Sequence, residues 1–121
     1  MKSSHRAATL ALVALLGFSG GAAAQDPAVV NAKTVKVKLE NDRVRVLEAT
    51  LKSGDKEQLH SHPASIIYVV SGGTTRNHAP DGTTKETAYV AGETIYRDPL
   101  THWAENIGNT TIHLMVVELK K

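Results

Sequence analysis

Between positions 34 and 51 the chain alternates apolar and polar residues with a period of two. Val35, Val37 and Leu39 interleave with Lys36, Lys38 and Glu40, and after the turn signal Asn41-Asp42, Val44 and Val46 interleave with Arg43 and Arg45. Successive side chains of a strand point to opposite faces, so this period predicts two strands with one face buried. Ser53-Gly54-Asp55 ends the second. Residues 65–70, SIIYVV, form an apolar β-branched run too short for a buried helix and closed by Gly72-Gly73, which predicts a third strand. Residues 74–79 and 83–90 flank Pro80-Asp81-Gly82, a turn with Pro and Gly where a hairpin wants them. After Ala91-Gly92-Glu93 comes a short strand over 94–97, then a Pro-containing bend over 98–101. Residues 102–106 and 110–119 are predicted to form a second hairpin across Ile107-Gly108-Asn109. No segment beyond residue 24 has apolar residues at helical spacing, so the prediction is an all-β antiparallel sandwich or barrel. Residues 25–33, small and polar with one Pro, predict an irregular arm or an exchanged edge segment.

The first 24 residues break this pattern. Lys2, His5 and Arg6 make a basic start, residues 7–17 are nearly all apolar, and Ala22-Ala23-Ala24 places small residues before Gln25. That is the layout of a secretory signal peptide cleaved after Ala24, with an apolar run too short for a stable membrane anchor. The expected organisation is therefore a signal peptide over 1–24, an arm over 25–33 and one barrel domain over 34–121, in a periplasmic or secreted protein. The 121-residue chain carries 14 Lys plus Arg against 12 Asp plus Glu. Lys2 and Arg6 account for the excess and leave with the leader, so the mature charge balances and nucleic-acid binding is not expected. Cysteine is absent, which leaves nitrogen and oxygen as the only donors for a metal and rules out zinc-finger and iron-sulfur sites. An exported domain of this size must then be held by its core instead of by disulfides.

The chemistry lies in LHSHPASIIYVVSGG, residues 59–73. In an extended segment His60 and His62 face one side and can present two imidazoles to one point. Neutral imidazole is a common ligand for divalent transition metals, although a His-x-His pair by itself also fits ordinary surface or core histidines. Pro63 locks its own φ and shapes the exit of the chain.

Gly54, His60, His62 and Gly72 together resemble the first motif of the cupin family, and Gly92, Pro99, His102 and Asn106 resemble the second. The two resemblances run from Gly54 to Asn106. They imply a small single-domain cupin of type 2, similar to cupins labelled as β-alanine degradation proteins, with a double-stranded β-helix or jelly-roll barrel. They also imply a metal held by His60, His62 and His102. The chain departs from the pattern where the motif's glutamate is expected, because Ser65, Ile66 and Ile67 stand there. Pro99 also lies only three residues before His102, with Leu100 in place of a glycine.

Three neutral ligands would leave a divalent ion its full charge and make it a stronger Lewis acid than a site with a carboxylate. The resemblance implies iron-dependent dioxygenases as one reaction class for such sites, and iron, nickel, zinc or manganese as the ion. A small polar or anionic molecule is the expected substrate. Gln58, His113, Tyr68 and Tyr96 are the candidates for a fourth ligand or a supporting role, while Glu57 is expected to face away as a surface residue. Three readings stand at this point: a metal-dependent enzyme, a non-catalytic periplasmic module for a metal or small ligand, and a metal-free structural cupin. Cupins commonly pair through edge strands, which makes residues 34–39 a candidate homodimer contact.

Overall fold

Alternation in the sequence becomes nine strands in a computed structural model that describes residues 25–121; the expected signal peptide and its cleavage point lie outside the described residues. One short helix, α1 (Pro27–Val30), precedes β1 (Val35–Glu40), β2 (Val44–Leu51), β3 (His60–His62), β4 (Ser65–Ser71), β5 (Gly73–His78), β6 (Thr84–Tyr89), β7 (Thr94–Arg97), β8 (Leu100–Asn106) and β9 (Ile112–Leu119). Two antiparallel sheets form, one of five strands in the order β1-β2-β9-β4-β7 and one of four in the order β3-β8-β5-β6. This is the cupin-type double-stranded β-helix, a jelly roll. Among the described residues no helix is long and apolar enough to cross a membrane.

Burial follows the two-residue period most cleanly on β9, where Ile112, Leu114, Val116 and Glu118 are buried and the residues between them only partly so. Leu47, Ala49 and Leu51 of β2 and Ile67 and Val69 of β4 join them in one apolar core between the sheets. Each fully buried aliphatic side chain of this kind contributes about 1.5–3 kcal/mol of hydrophobic stabilisation.

The hairpin predicted across Pro80-Asp81-Gly82 joins β5 and β6, with Gly82 at φ 91° and the Asp81 carboxylate accepting from the backbone N–H of Thr83. The Asn41-Asp42 turn joins β1 and β2, and the Asn41 side chain accepts from the N–H groups of Arg43 and Val44. The hairpin predicted across Ile107-Gly108-Asn109 does not form. Strands β8 and β9 follow one another in the chain but lie in opposite sheets, so the connection crosses the barrel instead of folding back. Asn106 holds that crossing: its side-chain N–H groups donate to the carbonyls of Leu51 and Thr110, and its Oδ1 accepts from Gly108 N–H. Gly72 marks another crossing, between β4 and β5, where a Cβ would run into the Tyr89 carbonyl oxygen.

Residues 25–33 are a docked element, not an irregular arm. Asp26 caps α1 by accepting from Ala28 N–H, and its carboxylate forms a two-pronged pair with Arg45 of β2 at 2.7 and 2.9 Å. Gln25 is tied to β3, because Ser61 donates to its backbone carbonyl from N–H and to its side-chain carbonyl from Oγ.

Candidate metal centre

The short strand β3 ends at Pro63, which has no N–H to continue the ladder. Within it His60 and His62 are two residues apart and face the interior, and His60 lies directly opposite His102 of β8. Cross-strand neighbours on one face come within side-chain reach, so a third imidazole joins the pair. Ring centroids are 4.8 Å apart for His60–His62 and His60–His102, and 5.6 Å for His62–His102, with the rings steeply inclined to one another. One nitrogen from each lies within 4.8 Å of the others. Tetrahedral metal–imidazole bonds of about 2.0–2.1 Å place such atoms about 3.4 Å apart, so closing around an ion takes a shift of up to about 1.4 Å.

Each ring is fixed through its other nitrogen. His60 Nδ1 donates to the Gln58 carbonyl at 2.7 Å, and that carbonyl is itself held because Asn31 clasps the Gln58 backbone at both N–H and C=O. His62 Nδ1 donates to the Glu118 carboxylate at 2.6 Å, and His102 Nδ1 to Asn77 Oδ1 at 3.1 Å. Asn77 is oriented in turn by donating from Nδ2 to Thr75 and Thr87. Carbonyl and carboxylate oxygens only accept, which puts the proton on Nδ1 of His62 and His102. At His60 the shorter contact to the Gln58 carbonyl favours the same tautomer over the Asn31 amide N–H, 3.1 Å from the same nitrogen, and each Nε2 is then left with its lone pair. That is the arrangement which orients metal-bound histidines. Burial pushes His60 down to about 4 and His102 to about 2, with the Arg97 charge assisting at both, and it lowers His62 against the pull of Glu118. All three are neutral at pH 7, the form a metal requires.

The Nε2 atoms open onto a cavity of about 40 Å³, space for roughly three water-sized groups. Apolar core side chains close one end, and Glu57, Thr75, Asn77, Tyr89 and Arg97 supply polarity beside the histidines. Past Asn77, Tyr89 and Arg97 a wider pocket of about 340 Å³ opens, bordered by Lys85, Tyr96 and Leu100.

Several expectations for residues around the site are corrected. The Gln58 side chain is exposed and only its backbone carbonyl takes part. His113 sits on the outer face of β9, where Nε2 pairs with Glu48 at 2.7 Å. Tyr68 is 47% exposed on the outside of β4, and Tyr96, 61% exposed, borders the wider pocket without reaching the histidines. Glu57 is the opposite case. Its side chain is only 8% exposed, Oε1 accepts from Ala104 N–H at 3.1 Å, and the same oxygen lies 3.8 Å from His60 Nε2. Alternation fails there because residues 57–59 lie outside the pleated strand, which starts at His60. Burial raises the Glu57 carboxyl to about 7, with Arg97 and the Ala104 N–H opposing. Where the cupin motif has glutamate, Ser65 and Ile67 point inward and Ile66 outward; Ile67 is part of the apolar core. The sequence reading missed Glu57, Arg97 and Glu118. Inward parity from Val116 along the final strand is the one signal that points to Glu118.

No protein-family model matches the chain, and neither does any curated protein. Solved structures share its fold. A cupin domain from Bordetella pertussis Tohama I superposes with a TM-score of 0.66 at 21% identity over 72% of this chain and 92% of its own. An RmlC-like cupin with a double-stranded β-helix from Methanocaldococcus jannaschii gives 0.56 at 16% over 71% and 78%. A predicted oxalate decarboxylase from Thermotoga maritima gives 0.52 at 22% over 72% and 79%.

Proposed function

We propose that this chain binds one divalent transition metal through His60, His62 and His102 and uses the open side of that ion to act on a small polar or anionic molecule, with oxygenase chemistry as the reaction class. The observation that carries the reading is the shared geometry: three Nδ1 atoms each within hydrogen-bond distance of an oxygen acceptor, which leaves the three imidazoles facing one cavity with their Nε2 edges. Packing alone has no use for three buried imidazoles with unengaged lone pairs, because a buried polar atom without a partner costs about 1–3 kcal/mol. When bound, the ion would supply Lewis acidity and positions for oxygen or substrate, undiminished by a carboxylate ligand from β4. The chain's own residues do the rest. The apolar core keeps bulk water from one side, and the Glu57 carboxyl is placed beside His60 to hydrogen-bond a bound molecule. Export rests on the leader-like sequence of residues 1–24.

Elemental analysis of the purified protein, prepared without a histidine tag, tests this. About one ion per chain is expected, lost in His60→Ala and His102→Ala, with a higher Tm on adding iron, nickel, zinc or manganese. Fewer than about one ion per ten chains together with an unmoved Tm defeats the reading. With metal bound, oxygen uptake on a panel of thiols and diketones separates the enzyme from a non-catalytic binding module.

A further inference from the structure

We propose that Arg97 anchors the carboxylate of a small organic acid, held where the histidine cavity meets the wider pocket, with the acid's second donor group turned toward the three histidines. The proposal rests on the metal-centre reading for that second contact, while the Arg97 contact itself is independent of it.

Arg97 lies on the inward face of β7 and borders both cavities, together with Asn77 and Tyr89. Its Nε is buried and has no hydrogen-bond partner, and no carboxylate among the described residues pairs with its guanidinium. Directly across the ladder is Ser65, whose hydroxyl is also buried and unpartnered. Buried polar groups are nearly always satisfied, so an unpaired arginine nitrogen on a residue that borders two cavities marks a place that something else fills. The same row shows the contrast. Arg45 and Glu118 sit at the equivalent level of β2 and β9, and there each charge has its own partner, Asp26 for Arg45 and His62 for Glu118. Arg45 Nε is buried without a partner too, but its terminal nitrogens hold Asp26; in that row Arg97 alone lacks a carboxylate partner of its own, with the Tyr89 hydroxyl and the Glu57 carboxyl as its neighbours.

The ligand class follows from charge and shape. Arg97 faces three neutral imidazoles, the Tyr89 ring and the Glu57 carboxyl; Glu118, the other acid near the histidines, is already engaged by His62. A divalent ion added to that set leaves an excess of positive charge which an incoming anion cancels. The guanidinium presents paired N–H groups in one plane, which matches a carboxylate with two parallel hydrogen bonds. Inner space of about 40 Å³ admits the donor end of a small acid, and the body of the molecule extends into the wider pocket, where Lys85 adds a second positive group.

Malonate, its neutral diamide malonamide, and sulfate serve as probes on the purified protein, both metal-free and loaded with cobalt(II), followed by Tm and by the cobalt absorption spectrum. Malonate is expected to raise Tm in both forms and to perturb the cobalt spectrum, with malonamide and sulfate much weaker. Arg97→Gln should weaken malonate binding about tenfold or more and Arg97→Lys less, with cobalt content unchanged in both. Equal malonate affinity in wild type and in whichever Arg97 variant folds overturns the proposal, as does equal binding of sulfate or malonamide. A protein that takes up no cobalt defeats the metal reading instead, and the metal-free titration then still decides whether Arg97 holds a carboxylate.

Discussion

A histidine becomes a metal ligand only when its second nitrogen is told which tautomer to adopt, and here three different oxygen acceptors give the same instruction. A backbone carbonyl does so for His60, a carboxylate for His62 and a side-chain amide for His102. The carboxylate is the strongest of these, because a charged acceptor raises the basicity of the ring it holds. Glu118→Gln is therefore expected to lower metal affinity by about 10–100-fold with little change in fold, measured by chelator competition. Unchanged affinity would show that His62 needs no carboxylate. Spacing alone pairs His60 with His62, and His102 joins them in sequence only through the resemblance to the second cupin motif. The site roles of Glu118, Glu57 and Arg97 could not be read there: alternation gives Glu118 only an inward parity, and each reaches the histidines through a cross-strand register or an irregular approach.

At the scale of elements, what matters is which neighbouring strands pair and which cross between sheets. Only β1–β2 and β5–β6 are hairpins of consecutive strands; the other connections pass from one sheet to the other. A three-residue connection containing glycine suits a hairpin, yet at 107–109 each flanking strand has two other partners, β9 between β2 and β4 and β8 between β3 and β5. Such crossings bring backbones close together. Gly72→Ala should cost about 1–3 kcal/mol in denaturant unfolding, because the new methyl group meets the Tyr89 carbonyl and the β4–β5 turn must shift. The amino-terminal arm is part of the same framework. Through Asn31 it fixes the carbonyl that orients His60, so a segment that reads in sequence as an irregular arm or an exchanged edge segment is joined to the site.

The whole molecule answers pH through its buried ionisable groups, and their signs oppose. His60 and His102 fall from 6.5 to about 4 and about 2, and His62 also falls. As pH drops below 6.5 the unfolded chain takes up protons that these folded-state rings refuse, so stability declines on acidification. Glu57, raised from 4.5 to about 7, binds its proton first in the folded state and loses stabilising effect as pH rises through 7. The metal-free protein should thus have a lower Tm at pH 5 than at pH 7, and Glu57→Gln should steepen the fall by removing the opposing group. A shallower fall in that variant contradicts a raised Glu57 carboxyl.

What the sequence by itself determined was local: the period of two that makes strands, the turn chemistry at Asn41-Asp42 and Pro80-Asp81-Gly82, and the His-x-His geometry of β3. These depend on residues a few positions apart, so short-range sterics and alternation suffice. Tertiary structure alone decided the sheet order, the crossing at 107–111, the fate of the absent motif glutamate and the company His60 keeps. An acid is present beside the histidines after all. It comes from Glu57, ahead of the pair, because the chain turns inward there before the strand begins, and that placement follows from the packing of the two sheets.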